Sequence, residues 1–196
     1  VTSKAGPAPV GEARGKNSVS RSVTTEEAPV FELKPLRAEA IPAALAKAER
    51  YRLLNEPEQA ESICQDVLRT QPGNQQAITL YLLAITDTFR PTHAPDVWRA
   101  RALLDQLSSD YDRCYYAGIV EERLARAKLE SGGPLAPQEA FEGFSRAMRW
   151  YTEAETLRPA GNDDAILRWN SCARVLMENP HLRPETEYDA SELRLE

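Results

Sequence analysis

The stretch Asn55–Ala77 reads NEPEQAESICQDVLRTQPGNQQA, and its reading decides the fold. Ala60, Ile63, Cys64, Val67 and Leu68 recur with the spacing of one helical face, and Glu61, Gln65, Asp66 and Arg69 occupy the other. Asn55 suits the left-handed turn that ends a preceding helix, and Pro57 suits the first turn of the next. Pro72-Gly73-Asn74 breaks the run. Cys64 therefore sits on an apolar stripe, with no histidine in its segment. A thiol there is a packing residue, and desolvation disfavours its thiolate.

The same punctuation continues outward. Ala40–Leu54 is alanine-rich, with Leu45, Ala48, Tyr51 and Leu53 apolar, and Gln75–Phe89 carries Ile78, Tyr81, Leu82 and Ile85. After Arg90–Pro95, Ala100, Leu103, Leu104 and Leu107 form a fourth stripe. Asp110–Leu129 reads as a long helix ended by Ser131-Gly132-Gly133-Pro134. Pro137 and Glu139 open another, to about Leu157. Asn162 is a good N-cap for the last, which runs to about Met177. Seven helices with short loops and no strand are expected, hence an all-α fold with antiparallel neighbours.

The chain has 196 residues, enough for one domain with a real core. Its net charge is −6, and the charge is unevenly placed. Residues 1–38 hold six Lys/Arg against four Glu; the remainder holds eighteen against twenty-six Asp/Glu. An acidic folded part repels phosphate backbones, so no nucleic acid partner is expected. Cys64, Cys114 and Cys172 are scattered, and His93 and His181 are the only histidines. Neither a disulfide framework nor a metal site is expected from them. No apolar run is long enough to span a membrane, so direct membrane insertion is not expected and a cytoplasmic location is. The first residue is Val, which is compatible with a removed signal or anchor.

Residues 1–38 read as an extended or flexible N-terminal arm, poor in large apolar residues. Within it Val30-Phe31-Glu32-Leu33 alternates, and Phe31 and Leu33 are its candidate contacts with a partner. Residues 39–180 form the helical domain, and 181–196 an acidic tail.

The residues of the first hairpin resemble a tetratricopeptide repeat (TPR), a 34-residue helix–turn–helix with a W-x₂-L-G-x₂-Y, A-x₃-F, P pattern. Ala48 stands in the Gly slot, Tyr51 in the Tyr slot, Ala60 in the Ala slot, Cys64 in the aromatic slot and Pro72 in the Pro slot. Ala44 and Lys47 depart from the pattern's Trp and Leu. Ala140, Phe144 and Ala147 resemble a second-helix signature further on. The resemblance covers about residues 40–178. It implies an α-solenoid of about three helical hairpins with a C-terminal capping helix.

It also implies a binding face lined by the first helix of each hairpin. By that geometry the face holds Leu45, Glu49 and Arg52, then Gln76, Thr79 and Leu83, then Arg113, Tyr116, Arg123, Ile166 and Arg174. Some members clamp a partner's C-terminal carboxylate with Lys, Asn and Arg. The matching slots here hold Leu45, Glu49, Leu80 and Gln76, which cannot, so a chaperone-tail co-adaptor role is not expected.

No phosphate-loop, dinucleotide, zinc-protease or nucleophile-elbow motif occurs. Glu121-Glu122, followed by Arg123 and Arg126, reads as charge lacing on a long helix. The expectation is a non-catalytic scaffold or adaptor for a protein partner, without cofactor or metal. The alternatives are an accessory or assembly subunit docked through its arm, and a regulatory repeat domain of a larger enzyme or membrane-anchored protein.

Overall fold

The computed structural model describes Gly6 and residues 31–90 and 94–184. The expectations for most of the arm, for His93 and for the tail from residue 185 lie outside the described residues. The chain divides into two units, Val1–Lys34 and Pro35–Glu196. In the first, residues 31–34 have no regular secondary structure, and Phe31 and Leu33 are 86% and 74% exposed.

Among the described residues of the second unit the chain is all helical. The helices are α1 (Ile41–Leu53), α2 (Pro57–Thr70), α3 (Gln75–Asp87), α4 (Ala94–Leu104), α5 (Asp110–Ser131), α6 (Ala136–Leu157) and α7 (Asp164–Glu178). Local chemistry sets their ends. Asn55 holds φ at 59° directly after α1, the left-handed turn that an asparagine tolerates. Proline occupies the first turn of α1, α2 and α6, where a missing N–H costs nothing. Asn74 caps α3 by accepting from the Ala77 amide at 2.9 Å, and Ser109 caps α5 by accepting from Asp112 at 3.2 Å. Asn162 accepts from the Asp164 amide at 2.9 Å, and α7 begins two residues later than that side chain.

Each helix packs on the next, and α3 also packs on α1 and on α5. The first cluster joins α1, α2 and α3 through small groups. Ala48, Ala60, Cys64, Val67 and Ala77 are fully buried there, and Leu36 packs against them. The Thr70 hydroxyl donates to the Leu36 carbonyl at 3.2 Å, so the segment entering α1 belongs to this core. A second cluster, with Ile78, Leu82, Ile85, Ala100 and Val120, continues to α4 and α5. Leu107 lies beyond the end of α4, yet it is buried in this cluster.

The third cluster sets large rings among small residues, Ala125, Ala140, Ala147, Ala154 and Ala165. Phe144 and Tyr151 of α6 are fully buried, and Tyr111 and Tyr115 of α5 stack with centroids 5.7 Å apart. Gly118 makes room for them: a Cβ there would lie 2.4 Å from the Tyr151 ring. Burying each such ring contributes on the order of 2–3 kcal/mol. Leu182, after α7, seals the far side of this cluster.

Candidate functional site

The residues assigned from sequence to a binding face separate into three groups. The first is brought together. Arg52 of α1 donates to Asp87 of α3 at 2.8 Å, and Arg123 of α5 reaches the other oxygen of that carboxylate at 2.6 Å. Arg123 also donates to the Leu83 carbonyl at 3.0 Å. Arg52, Arg123 and the Leu83 carbonyl thus form one polar line across α1, α3 and α5 through Asp87, while Thr79 and Tyr116 are half-buried on α3 and α5. Burial lowers the Arg123 guanidinium from its ordinary value, and Asp87 opposes that shift. Burial, with Asp112 adding to it, pushes the Tyr116 phenol up to about 12.

The line continues to α7 through Glu122, which is 1% exposed. Its carboxylate accepts from Tyr151 at 2.7 Å, from Arg126 at 3.0 Å and from Arg168 at 3.4 Å. Charge lacing on a solvated helix face does not describe this residue. The Glu122–Arg126 pair has the expected one-turn spacing, but its acid is in the core between α5, α6 and α7. Glu121 is also buried, and it faces elsewhere: it accepts from Arg101 of α4 at 2.9 Å and from Arg146 of α6 at 2.8 Å.

The second group is placed on open surface. Glu49, Gln76 and Arg174 are exposed, and Ile166 is half-buried. The third group is placed elsewhere. Leu45 is 3% exposed and packs inside the α1–α3 cluster, so it presents nothing to a partner. Arg113 donates to the Leu107 carbonyl and to Asp110, and it lines a cleft between α4 and α6 instead of joining Arg123.

The residues assigned to packing lie as follows. Ala48, Ala60, Cys64, Ala140, Phe144 and Ala147 are fully buried, Tyr51 is half-buried and Pro72 is exposed in the α2–α3 loop. Burial drives the Cys64 and Cys172 thiols up to about 12, and Glu122 adds to the shift of Cys172. Neither is a poised nucleophile at neutral pH. Among the described residues no group of His, Cys, Asp and Glu could hold a metal ion, and no helix is long and apolar enough to cross a membrane. No buried side-chain polar atom there lacks a partner. The arrangement can do one thing plainly: present fixed charges on a rigid surface.

Sequence reasoning missed Asp87 and Arg168, and it read Glu122 as a solvated acid when the residue is buried. Their one legible signal was an acid or base on the helix faces that also carry Arg52 and Arg123. Comparison with family models, with curated proteins and with solved structures found no match for this chain.

Proposed function

We propose that this chain is a non-catalytic, TPR-like α-solenoid that binds a segment of a protein partner on the face formed by α1, α3, α5 and α7. The carrying observation is the polar line that ties these four helices side by side, Arg52–Asp87–Arg123 and then Glu122–Arg168. Stacked hairpins place their first helices in one such layer, which becomes the concave surface. Small residues at the α1–α2 contact, Ala48 and Ala60, support the same reading.

The face has a charge preference. Arg52, Arg123, Arg126 and Arg168 stand there against Asp87 and Glu122, and the Arg126 and Arg168 side chains are 40% and 37% exposed. An acidic side chain on the partner segment matches this surplus, although the chain as a whole is acidic. The three free thiols suit a reducing compartment, and the cytoplasm is the proposed location. Affinity purification of the full chain carrying Arg126→Glu or Arg168→Glu, with the fold checked by circular dichroism, tests the surface. Loss of the co-purifying partner is expected, and unchanged recovery from both variants would sink it.

A second reading rests on the exposure of Phe31 and Leu33, a pair of large apolar groups open to solvent. In it the chain is an accessory subunit that docks through this segment. Deleting residues 1–34 separates the two readings, and the cut should stop there because Leu36 belongs to the helical core. Loss of association after deletion favours the segment; retention favours the helical face.

A further inference from the structure

The cleft between α4 and α6 serves neither reading. Both helices pack on α5, and the described residues show no comparable packing of one on the other. The reason is length. α4 has 11 residues and α6 has 22, so the C-terminal half of α6 runs past α4 above the first turns of α5. The resulting groove has a volume of about 620 Å³, within the range that binds ligand groups. Leu104, Ala117, Trp150 and Leu157 give it apolar walls, and Trp150 and Leu157 remain 43% and 42% exposed.

The groove is built. Glu121, midway along α5, holds Arg101 of α4 and Arg146 of α6 at once, and Arg101 lines the groove itself. The cations near it are therefore occupied: Arg101 by Glu121, and Arg113 by Asp110 and the Leu107 carbonyl. Among the described residues, two lining carboxylates, Asp105 and Glu153, have no such partner. The C-terminal ends of α4 and α6 converge here and add partial negative charge, against the single N-terminal end of α5. Glu153 lies one turn from Trp150 on α6, so one cationic side chain can stack on the indole and meet the carboxylate.

We propose that this groove docks a short basic–apolar segment of a partner protein, an apolar side chain entering between Leu104, Trp150 and Leu157 and an adjacent Lys or Arg meeting Glu153 or Asp105. It is a different surface from the α1–α3–α5–α7 face and has the opposite charge preference. Its failure would leave that face untouched, and the reverse holds.

The test uses the full chain and short fluorescein-labelled peptides with a Lys-Leu-Leu-Arg core, read by anisotropy. Versions with Ser for each Leu, or Glu for each basic residue, serve as comparisons. Binding of the first alone is expected. Trp150→Ala and Glu153→Lys should each weaken it roughly tenfold, and Glu178→Lys, on exposed α7 surface, should not. The bound peptide should also slow modification of Cys114, a half-buried thiol lining the groove. Glu153 is exposed, so Glu153→Lys stays folded even if Trp150→Ala does not. Failure of the basic–apolar peptide to bind, equal binding of the acidic version, or unchanged affinity in Glu153→Lys would overturn the proposal. So would a dimer in sedimentation that requires Trp150, which would assign the groove to a second copy.

Discussion

The α1–α3 and α5–α7 regions are each three consecutive helices, and they are held together by different means. In α1–α3 the helices meet on Ala48, Ala60, Cys64 and Ala77, and the polar contacts sit at the edge. In α5–α7 small residues also line the contacts, Ala125, Ala140, Ala147 and Ala165 among them, but Phe144 and Tyr151 are enclosed with them and a carboxylate is buried beside the rings. Small residues let backbones approach and leave little to satisfy. An enclosed tyrosine adds a hydroxyl to the interior, and Glu122, held by Arg126 and Arg168, satisfies it. Neither region tolerates added volume, as Ala60 and Gly143 show, and the second in addition tolerates no lost ring and no lost donor.

The sharpest way to break this contrast is Ala60→Trp. A large ring cannot enter a fully buried alanine site, and the cost should far exceed the roughly 1–3 kcal/mol of ordinary overpacking. Circular dichroism on urea titration should show the cooperative transition lost; an unaltered curve would contradict the close approach of α1 and α2. Next in size is Phe144→Ala, which should destabilise by about 3–5 kcal/mol through the cavity it leaves. A loss below about 1 kcal/mol would mean that α5–α7 can collapse as freely as a small-residue core.

Tyr151→Phe keeps the ring and removes only the donor to Glu122. A loss of about 1–3 kcal/mol is expected in the same titration, since a buried acceptor is left short of a partner. No loss would show that Arg126 and Arg168 satisfy the carboxylate alone. The smallest effect at neutral pH concerns the two thiols, one in each region. Their folded values rise from 9.0 to about 12, so the folded state holds these protons more tightly. That stability is fully present below pH 9 and lost as pH climbs through 12. Unfolding measured at pH 8 and pH 11 should show a decline that shrinks in Cys64→Ala/Cys172→Ala; an equal decline would assign it to the tyrosines.

The helices were legible because each is bounded by local chemistry: Asn55, Pro57, Asn74, Ser109 and Gly132 act within a few residues of themselves. The all-α class followed from periodicity. The site was less legible, because phase between helices is not a local property. Leu45 lies on the α1 face that α2 and α3 cover, and nothing within α1 says which face that is. Glu121 and Glu122 look like solvated acids beside Arg123 and Arg126, since sequence shows the charges and not the helices that close over them. Arg113 reads as a neighbour of Tyr116, but one turn of difference in a crowded helix start turns it toward Leu107. The α4–α6 groove depends on two helix lengths and a shared acid, and no single segment encodes it.

Glu121 and Glu122 are consecutive, yet they serve different flanks of α5: one binds α4 and α6, the other α6 and α7. Each residue added to a helix rotates everything after it by about 100°. An insertion or deletion in α5 ahead of these two acids would swing both away from their arginines and put the Gly118 notch out of line with Tyr151. Length variation should therefore be absent from the body of α5 and tolerated at Gly132-Gly133-Pro134, where both glycines have open space around them and positive φ. That loop is where a tag, a cleavage site or a reporter domain can be introduced with the helices still in register.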